Sequence, residues 1–112
     1  MSARREALLW LAQRASAGLL GVFVLVHLAT MVYAVRSGLS ATAILGRTGG
    51  SLPWAAFYST FVFAVAVHAP LGLRSVCTEW FGWRGRAWDA LFLGFGILLA
   101  AAGWRAVWGV FQ

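Results

Sequence analysis

The sequence predicts an all-α integral membrane protein of three transmembrane helices, and two observations carry that prediction. Of its 112 residues, 62% are hydrophobic and only 11% are charged, whereas a soluble domain carries about 25% charged residues. The apolar residues also fall into long runs that no core of this size can bury, so lipid must solvate much of their surface. The length allows a single transmembrane domain, residues 1–112.

The first span is predicted at about residues 15–35. No charged residue lies between Arg14 and Arg36, and a helix needs about 20 residues to cross the hydrocarbon. Glycine, serine and threonine mark residues 37–53 as a loop. Pro53 suits the first turn of the next helix, where its missing N–H is not needed.

The second span is predicted at about residues 54–74, again without a charge in its interior. Residues 75–87 are polar, carry arginines and tryptophans, and are predicted as a connection. The third span covers about residues 88–107, and its glycines and alanines permit close contact between helices.

The arginines predict the orientation of these spans. Six of the nine lie in the N-terminal segment or the second connection, and three lie in the first loop or near the C-terminus. The positive-inside rule then places the N-terminus in the cytoplasm. We expect the membrane to be a bacterial inner membrane. Because the arginines lie between apolar runs, topology and anionic lipid head groups explain the basic charge, and no nucleic-acid partner is expected.

His27 and His68 lie inside the first two spans and are the candidate functional residues. An ionisable side chain within a span is costly and points to a function. Three interpretations are open: a neutral histidine hydrogen-bonded to a neighbouring helix, a proton relay, and an axial ligand of haem iron.

The surroundings of His68 favour the haem interpretation. At 100° per residue, Ala64, His68 and Gly72 share a stripe with Phe61 and Ser75. Small residues one turn before and one turn after the histidine leave room for a flat macrocycle. Plain packing against another helix is the alternative.

His27 shares its helix face with Ser16, Leu20, Phe23 and Thr30. It lies roughly 20 Å into the first span from the cytoplasmic side, by helical rise. For His68 the corresponding depth is roughly 9 Å. A difference of about 10 Å argues against one shared iron, so each histidine would need a partner histidine from another chain.

Arg14 and Arg74 end the first two spans at the predicted cytoplasmic face. One interpretation is topology and contact with head groups. The other is pairing with haem propionates or polarising a quinone carbonyl, because a guanidinium binds carboxylates with two hydrogen bonds.

Two short segments carry a resemblance to a known family. His68, Gly72, Arg74 and Glu79 match the second-helix signature of the cytochrome b membrane-anchor subunit of succinate dehydrogenase, a succinate:quinone oxidoreductase. Residues 14–18 look like that family's Arg-x-Ser-Gly at the start of helix one, with one extra residue before the glycine. The chain departs from the family pattern at Gln13 and Ser75, where histidines are usual, and at Trp10, where a serine lines the quinone pocket.

The resemblance implies half of a heterodimeric haem-binding helical bundle. By resemblance, His68 is the haem b ligand, Arg14 and Ser16 lie at a quinone pocket facing the iron–sulfur subunit, and Arg74 lies near the haem propionates. The implied partners are a second small membrane-anchor subunit, an iron–sulfur subunit and a flavoprotein subunit, with quinone as substrate. The chain itself carries no dehydrogenase motif.

The number of haems stays open at this point. His27 is similar in position to a helix-one histidine of the two-haem branch of the superfamily, which includes fumarate reductases and in which it ligates the haem farther from the cytoplasm. Two rival functions also stay open: a haem b subunit of another respiratory complex, and a non-haem assembly factor or small transporter subunit.

Overall fold

The computed structural model describes residues 2–112 and contains four helices. They are α1 (Ala3–Ser37), α2 (Ala41–Thr48), α3 (Leu52–Phe81) and α4 (Arg86–Phe111). α1, α3 and α4 are long and apolar enough to cross a membrane, and residues 2–112 form no strand. The predicted all-α fold with three spans is therefore confirmed.

α1 extends beyond the predicted first span at both ends. Its N-terminus is capped by Ser2, whose side chain accepts a hydrogen bond from the Arg5 amide at 3.2 Å. It ends at Gly38, whose φ of 108° is a conformation that side-chain-bearing residues rarely adopt. The apolar run therefore marks the part of the helix suited to lipid and not the ends of the helix itself.

The predicted loop at residues 37–53 contains the short helix α2, which corrects that prediction. Ser40 caps α2 by accepting a hydrogen bond from the Ala43 amide at 3.1 Å. The Thr48 hydroxyl donates to the Val110 carbonyl at 2.8 Å and joins α2 to the end of α4. This contact lies far away in the sequence, so the glycine and serine content gave no sign of it.

α3 begins as predicted, with Pro53 in its first turn and Ser51 as its cap. The predicted connection at 75–87 is wrong over its first half, because α3 continues past Arg74 to Phe81. The helix stops where Gly82 adopts a left-handed conformation, with φ 68°. Only residues 82–85 separate α3 from α4.

α3 is the central helix, and it packs against both α1 and α4. Glycines bring α4 close, as predicted: a Cβ on Gly103 would lie 2.6 Å from Cγ1 of Val62, and one on Gly96 would lie 3.0 Å from the Ala66 carbonyl oxygen. Pro70 has no N–H to bond that carbonyl within the helix. Gly96 therefore lets the α4 backbone cover the place where Pro70 interrupts the hydrogen bonding of α3.

One face of α1 is turned towards α3, and the residues of this face are less exposed than most of their neighbours. They recur at alternating spacings of three and four, which is typical of helices that cross at about 20°. His27 belongs to this face, together with the residues predicted to share it. The face comprises Gln13, Ser16, Leu20, Phe23, His27, Thr30 and Ala34.

The spans have two ends, which we name after the arginine found at each. The Arg74 end contains the start of α1, the end of α3 and the start of α4. The Arg47 end contains the end of α1, α2, the start of α3 and the end of α4. Large apolar side chains stay exposed between the ends, among them Leu25 at 69% and Leu98 at 67%. Such surfaces suit lipid or further membrane subunits.

Candidate functional site

A cluster of charged residues holds the three spans together at the Arg74 end. The Arg74 Nε donates to Asp89 Oδ1 at 2.9 Å, and Arg74 Nη2 lies 3.8 Å from Glu6 Oε1. Arg5 Nη2 adds a contact of 4.0 Å to Asp89 Oδ2. The guanidinium of Arg74 therefore already has carboxylate partners within this chain. Asp89 was not predicted, although an acid in the first turn of a span is a recognisable signal.

Arg14 and Ser16 lie on different faces of α1. The guanidinium of Arg14 stands 5.4 Å from the ring centre of Trp10 on an exposed face. Ser16 is only 7% exposed, and its hydroxyl donates to the Gln13 carbonyl at 3.1 Å. Two residues along a helix turn the side chain by about 200°. This chain alone does not bring the two predicted quinone-site residues together.

Of the small residues around His68, Gly72 packs against α1 and Ala64 is buried within the bundle. A Cβ on Gly72 would lie 3.0 Å from Nε2 of Gln13, and Ala64 is only 2% exposed. At Gly72 the stripe of small residues therefore serves packing against another helix, because α1 fills the space that the sequence suggested for a macrocycle. Any cofactor would have to approach His68 from another side.

The two nitrogens of the His68 ring have different surroundings. Nδ1 is enclosed and has no hydrogen-bond partner, whereas Nε2 is not enclosed. A histidine that ligates a metal uses one nitrogen for the metal and donates the N–H of the other to a nearby acceptor. Nδ1 thus faces the protein without an acceptor, which leaves Nε2 as the candidate ligand atom.

His27 is held among aromatic side chains. Its Nδ1 shares a hydrogen bond of 3.3 Å with the Tyr58 hydroxyl. The rings of Tyr58 and Phe61 meet it edge-on, with centroids 5.8 and 5.7 Å away. Tyr58 was missed by the sequence analysis, although a tyrosine inside a span needs a partner for its hydroxyl and is therefore a signal.

A cavity of about 390 Å³ lies beside His27 at the Arg47 end. His27, Tyr58 and Arg47 border it, and most of its other walls are apolar. The guanidinium of Arg47 stands 5.1 Å from the Tyr33 ring centre. The volume is within the usual range of small-molecule pockets, about 300–1,000 Å³.

The two histidines belong to separate sites. His27 contacts α3 at Tyr58 and Phe61, which precede His68 by seven to ten residues. At 1.5 Å per residue this separation is about 10–15 Å along the helix. It agrees with the difference in depth expected from the sequence. Residues 2–112 also hold no group of three or more His, Cys, Asp or Glu side chains suited to a metal ion.

The fold and the family comparison define a class, namely a multi-span membrane subunit of an oxidoreductase complex. The family described as succinate dehydrogenase/fumarate reductase transmembrane subunit matches residues 1–103. The chain belongs to this family, which confirms the resemblance found in its sequence. No curated protein and no solved structure matches the chain.

Proposed function

We propose that this chain is the haem b-binding membrane anchor of a succinate:quinone oxidoreductase. The observation that carries the proposal is the enclosed Nδ1 of His68, which has no hydrogen-bond partner and leaves Nε2 as the candidate ligand atom. A ligating histidine binds the metal through one nitrogen and donates the N–H of the other to an acceptor, so an acceptor for Nδ1 would complete this site. A bound b-type haem supplies one-electron redox chemistry beside the path to the quinone.

His68 would hold the iron from this side only. His27 lies about 10–15 Å farther along the bundle, so the second axial ligand has to come from another subunit. The exposed apolar surfaces of the spans offer a place for that second small anchor subunit. The chain would then form one half of the haem-binding bundle.

The Arg74 end is the proposed docking side for the iron–sulfur and flavoprotein subunits. It carries six arginines, Arg4, Arg5, Arg14, Arg74, Arg84 and Arg86, and the positive-inside rule assigns this end to the cytoplasm. The exposed Arg14 would contact a propionate or a quinone carbonyl in the assembled complex. Ser16, which is buried on another face of α1, would reach the same pocket only if the side chains around it rearranged.

A single haem is the favoured version, because Tyr58 and Phe61 already occupy the surroundings of His27. One observation supports a second haem as the alternative. The Nδ1 of His27 has an oriented hydrogen-bond partner in Tyr58, as a ligating histidine needs, and the 390 Å³ cavity lies beside it.

A reduced-minus-oxidised spectrum of the purified complex tests the proposal. We expect a b-type signal that co-purifies with the chain. A colourless complex would contradict haem binding and favour a structural membrane subunit. Turnover assays with succinate and with fumarate on the same preparation would then distinguish the two directions of the reaction.

A further inference from the structure

The contact between α1 and α3 encloses two polar atoms that have no hydrogen-bond partner. They are Oε1 of Gln13 and Nδ1 of His68, and residues 2–112 bury no other unpartnered side-chain nitrogen or oxygen. Enclosed polar atoms are nearly always paired in proteins, so two such atoms in one interface call for an explanation.

The two atoms belong to residues that lie about one helical turn apart along the bundle. Gln13 Nε2 is 3.0 Å from where a Cβ on Gly72 would stand, and Gly72 is one turn after His68. The hydrogen bond between His27 and Tyr58 and the contact between Gln13 and Gly72 both join α1 to α3, and they imply the same antiparallel alignment of the two helices. In that register His68 lies level with Ser16 and Ala17, within one turn of Gln13.

Two side chains on this part of α1 carry acceptor atoms, Gln13 and Ser16. The Ser16 hydroxyl donates to the Gln13 carbonyl at 3.1 Å and keeps lone pairs that can accept, but it already has this one partner, whereas the Gln13 amide oxygen has none. Arg14 faces outward over Trp10. The amide oxygen of glutamine accepts up to two hydrogen bonds, whereas the protonated ring nitrogen of a neutral histidine donates one. The unpartnered Oε1 of Gln13 and the unpartnered Nδ1 of His68 are therefore complementary as acceptor and donor.

We propose that Gln13 is a positioning residue for His68, with its amide oxygen accepting a hydrogen bond from the Nδ1–H. This bond fixes the tautomer in which Nε2 carries no proton and faces outward. In the structure neither atom has a hydrogen-bond partner, so forming this bond requires a change in the side-chain rotamer of Gln13. The inference deepens the proposed function, because Nε2 is the atom that would bind the iron.

The tautomer of His68 gives a direct test that needs no haem. The chain contains only two histidines, so ¹⁵N-histidine labelling of the full chain in lipid bilayers yields two ring systems in the NMR spectrum. We expect His68 protonated at Nδ1 in the wild type and in Gln13→Glu, which retains an acceptor. In Gln13→Met, which has none, the Nε2–H form should become populated at least tenfold more.

Two controls keep this test decisive. Ser16→Ala removes the other acceptor of this interface, and an unchanged His68 tautomer in that variant would assign the bond to Gln13. The His27 signal reports whether the bundle is intact, and Gln13→Asn replaces Gln13→Met if the apolar variant does not fold, because the shorter amide falls short of the ring. An unchanged His68 tautomer in a folded variant without the acceptor would overturn the proposal.

The assembled complex separates this proposal from the proposed function. In Gln13→Met the haem midpoint potential should rise relative to the wild type, because a ligand without the acceptor donates less electron density to the iron. Thr60→Ala, which removes an exposed α3 hydroxyl bonded to the Ala56 carbonyl, should leave the potential unchanged. A complex without any b-type spectrum would defeat haem binding but would not alter the tautomer result, whereas an unshifted potential in Gln13→Met would count against Gln13 alone.

Discussion

The surroundings of His68 and His27 differ in how the polar atoms are satisfied. His27 at the Arg47 end has a tyrosine hydroxyl on its Nδ1 and aromatic rings around it. His68, nearer the Arg74 end, has an enclosed Nδ1 without a partner and small residues on either side. The Nδ1 of His27 therefore already has the kind of partner that a ligating histidine needs, whereas the Nδ1 of His68 lacks one. The two histidines, although they lie in adjacent spans, therefore differ in the hydrogen bonding of their ring nitrogens.

The two regions are also built by different forces. Charged residues and close helix packing fix the surroundings of His68, through the Arg74–Asp89 pair and the contact of Gly96 with Ala66 and Pro70. Aromatic contacts and one hydrogen bond fix those of His27. Three variants test this contrast, from the largest expected effect to the smallest.

The largest effect is expected for Gly96→Leu. Its side chain would meet the Ala66 carbonyl and the Pro70 ring, and overpacking of this kind destabilises by about 1–3 kcal/mol. We expect the upper end of that range, measured as loss of helical stability during SDS titration in micelles. Gly94→Leu, at an exposed position with no atom within 4 Å, should cost far less. Equal effects of the two variants would contradict the packing of α4 on α3.

Asp89→Asn should have an intermediate effect. It removes the charge that pairs with Arg74, and the side chains of this pair are 28% and 21% exposed. A partly buried pair lies between exposed and fully buried ones, so a loss of about 1–2 kcal/mol is expected. The same titration measures it, and added salt should reduce the difference from the wild type. Glu79→Gln, at an exposed site outside the cluster, is the control, and an equal loss there would argue against a specific pair.

Tyr58→Phe should have the smallest effect. It deletes the hydroxyl bonded to His27 but keeps the ring, and one such bond contributes about 0.5–1.5 kcal/mol. Tyr33→Phe should be neutral, because the Tyr33 ring and its contact with Arg47 persist. If Tyr58→Phe abolished a haem signal, His27 would be a ligand whose orientation depends on Tyr58, and the contrast between the histidines would fail.

Much of the fold could be predicted from the sequence because span length and hydropathy depend on lipid, which acts on each segment separately. The three spans, the place of Pro53 and the shared face of His27 and Ser16 followed in this way. The helix ends did not, because backbone hydrogen bonding continues past Arg74 until Gly82 interrupts it. α2 was missed because its contact with Val110 depends on the assembled bundle.

Part of the site could also be predicted, because the apolar character of each span can be read from that segment alone. His68 and His27 are visible as ionisable residues inside apolar runs. The contacts of Gln13 with Gly72 and of Tyr58 with His27 depend on how the helices are rotated and aligned, which periodicity within one helix does not determine. The sequence also suggested free space beside His68, whereas the structure gives that space to α1.

The most direct test of the difference between the histidines is the haem content per complex in His68→Ala and His27→Ala. We expect one b-type haem in the wild type, none in His68→Ala and one in His27→Ala, with equal amounts of assembled complex established by the partner subunits. Haem retained in His68→Ala, or lost only in His27→Ala, would contradict the assignment of His68 as the ligand.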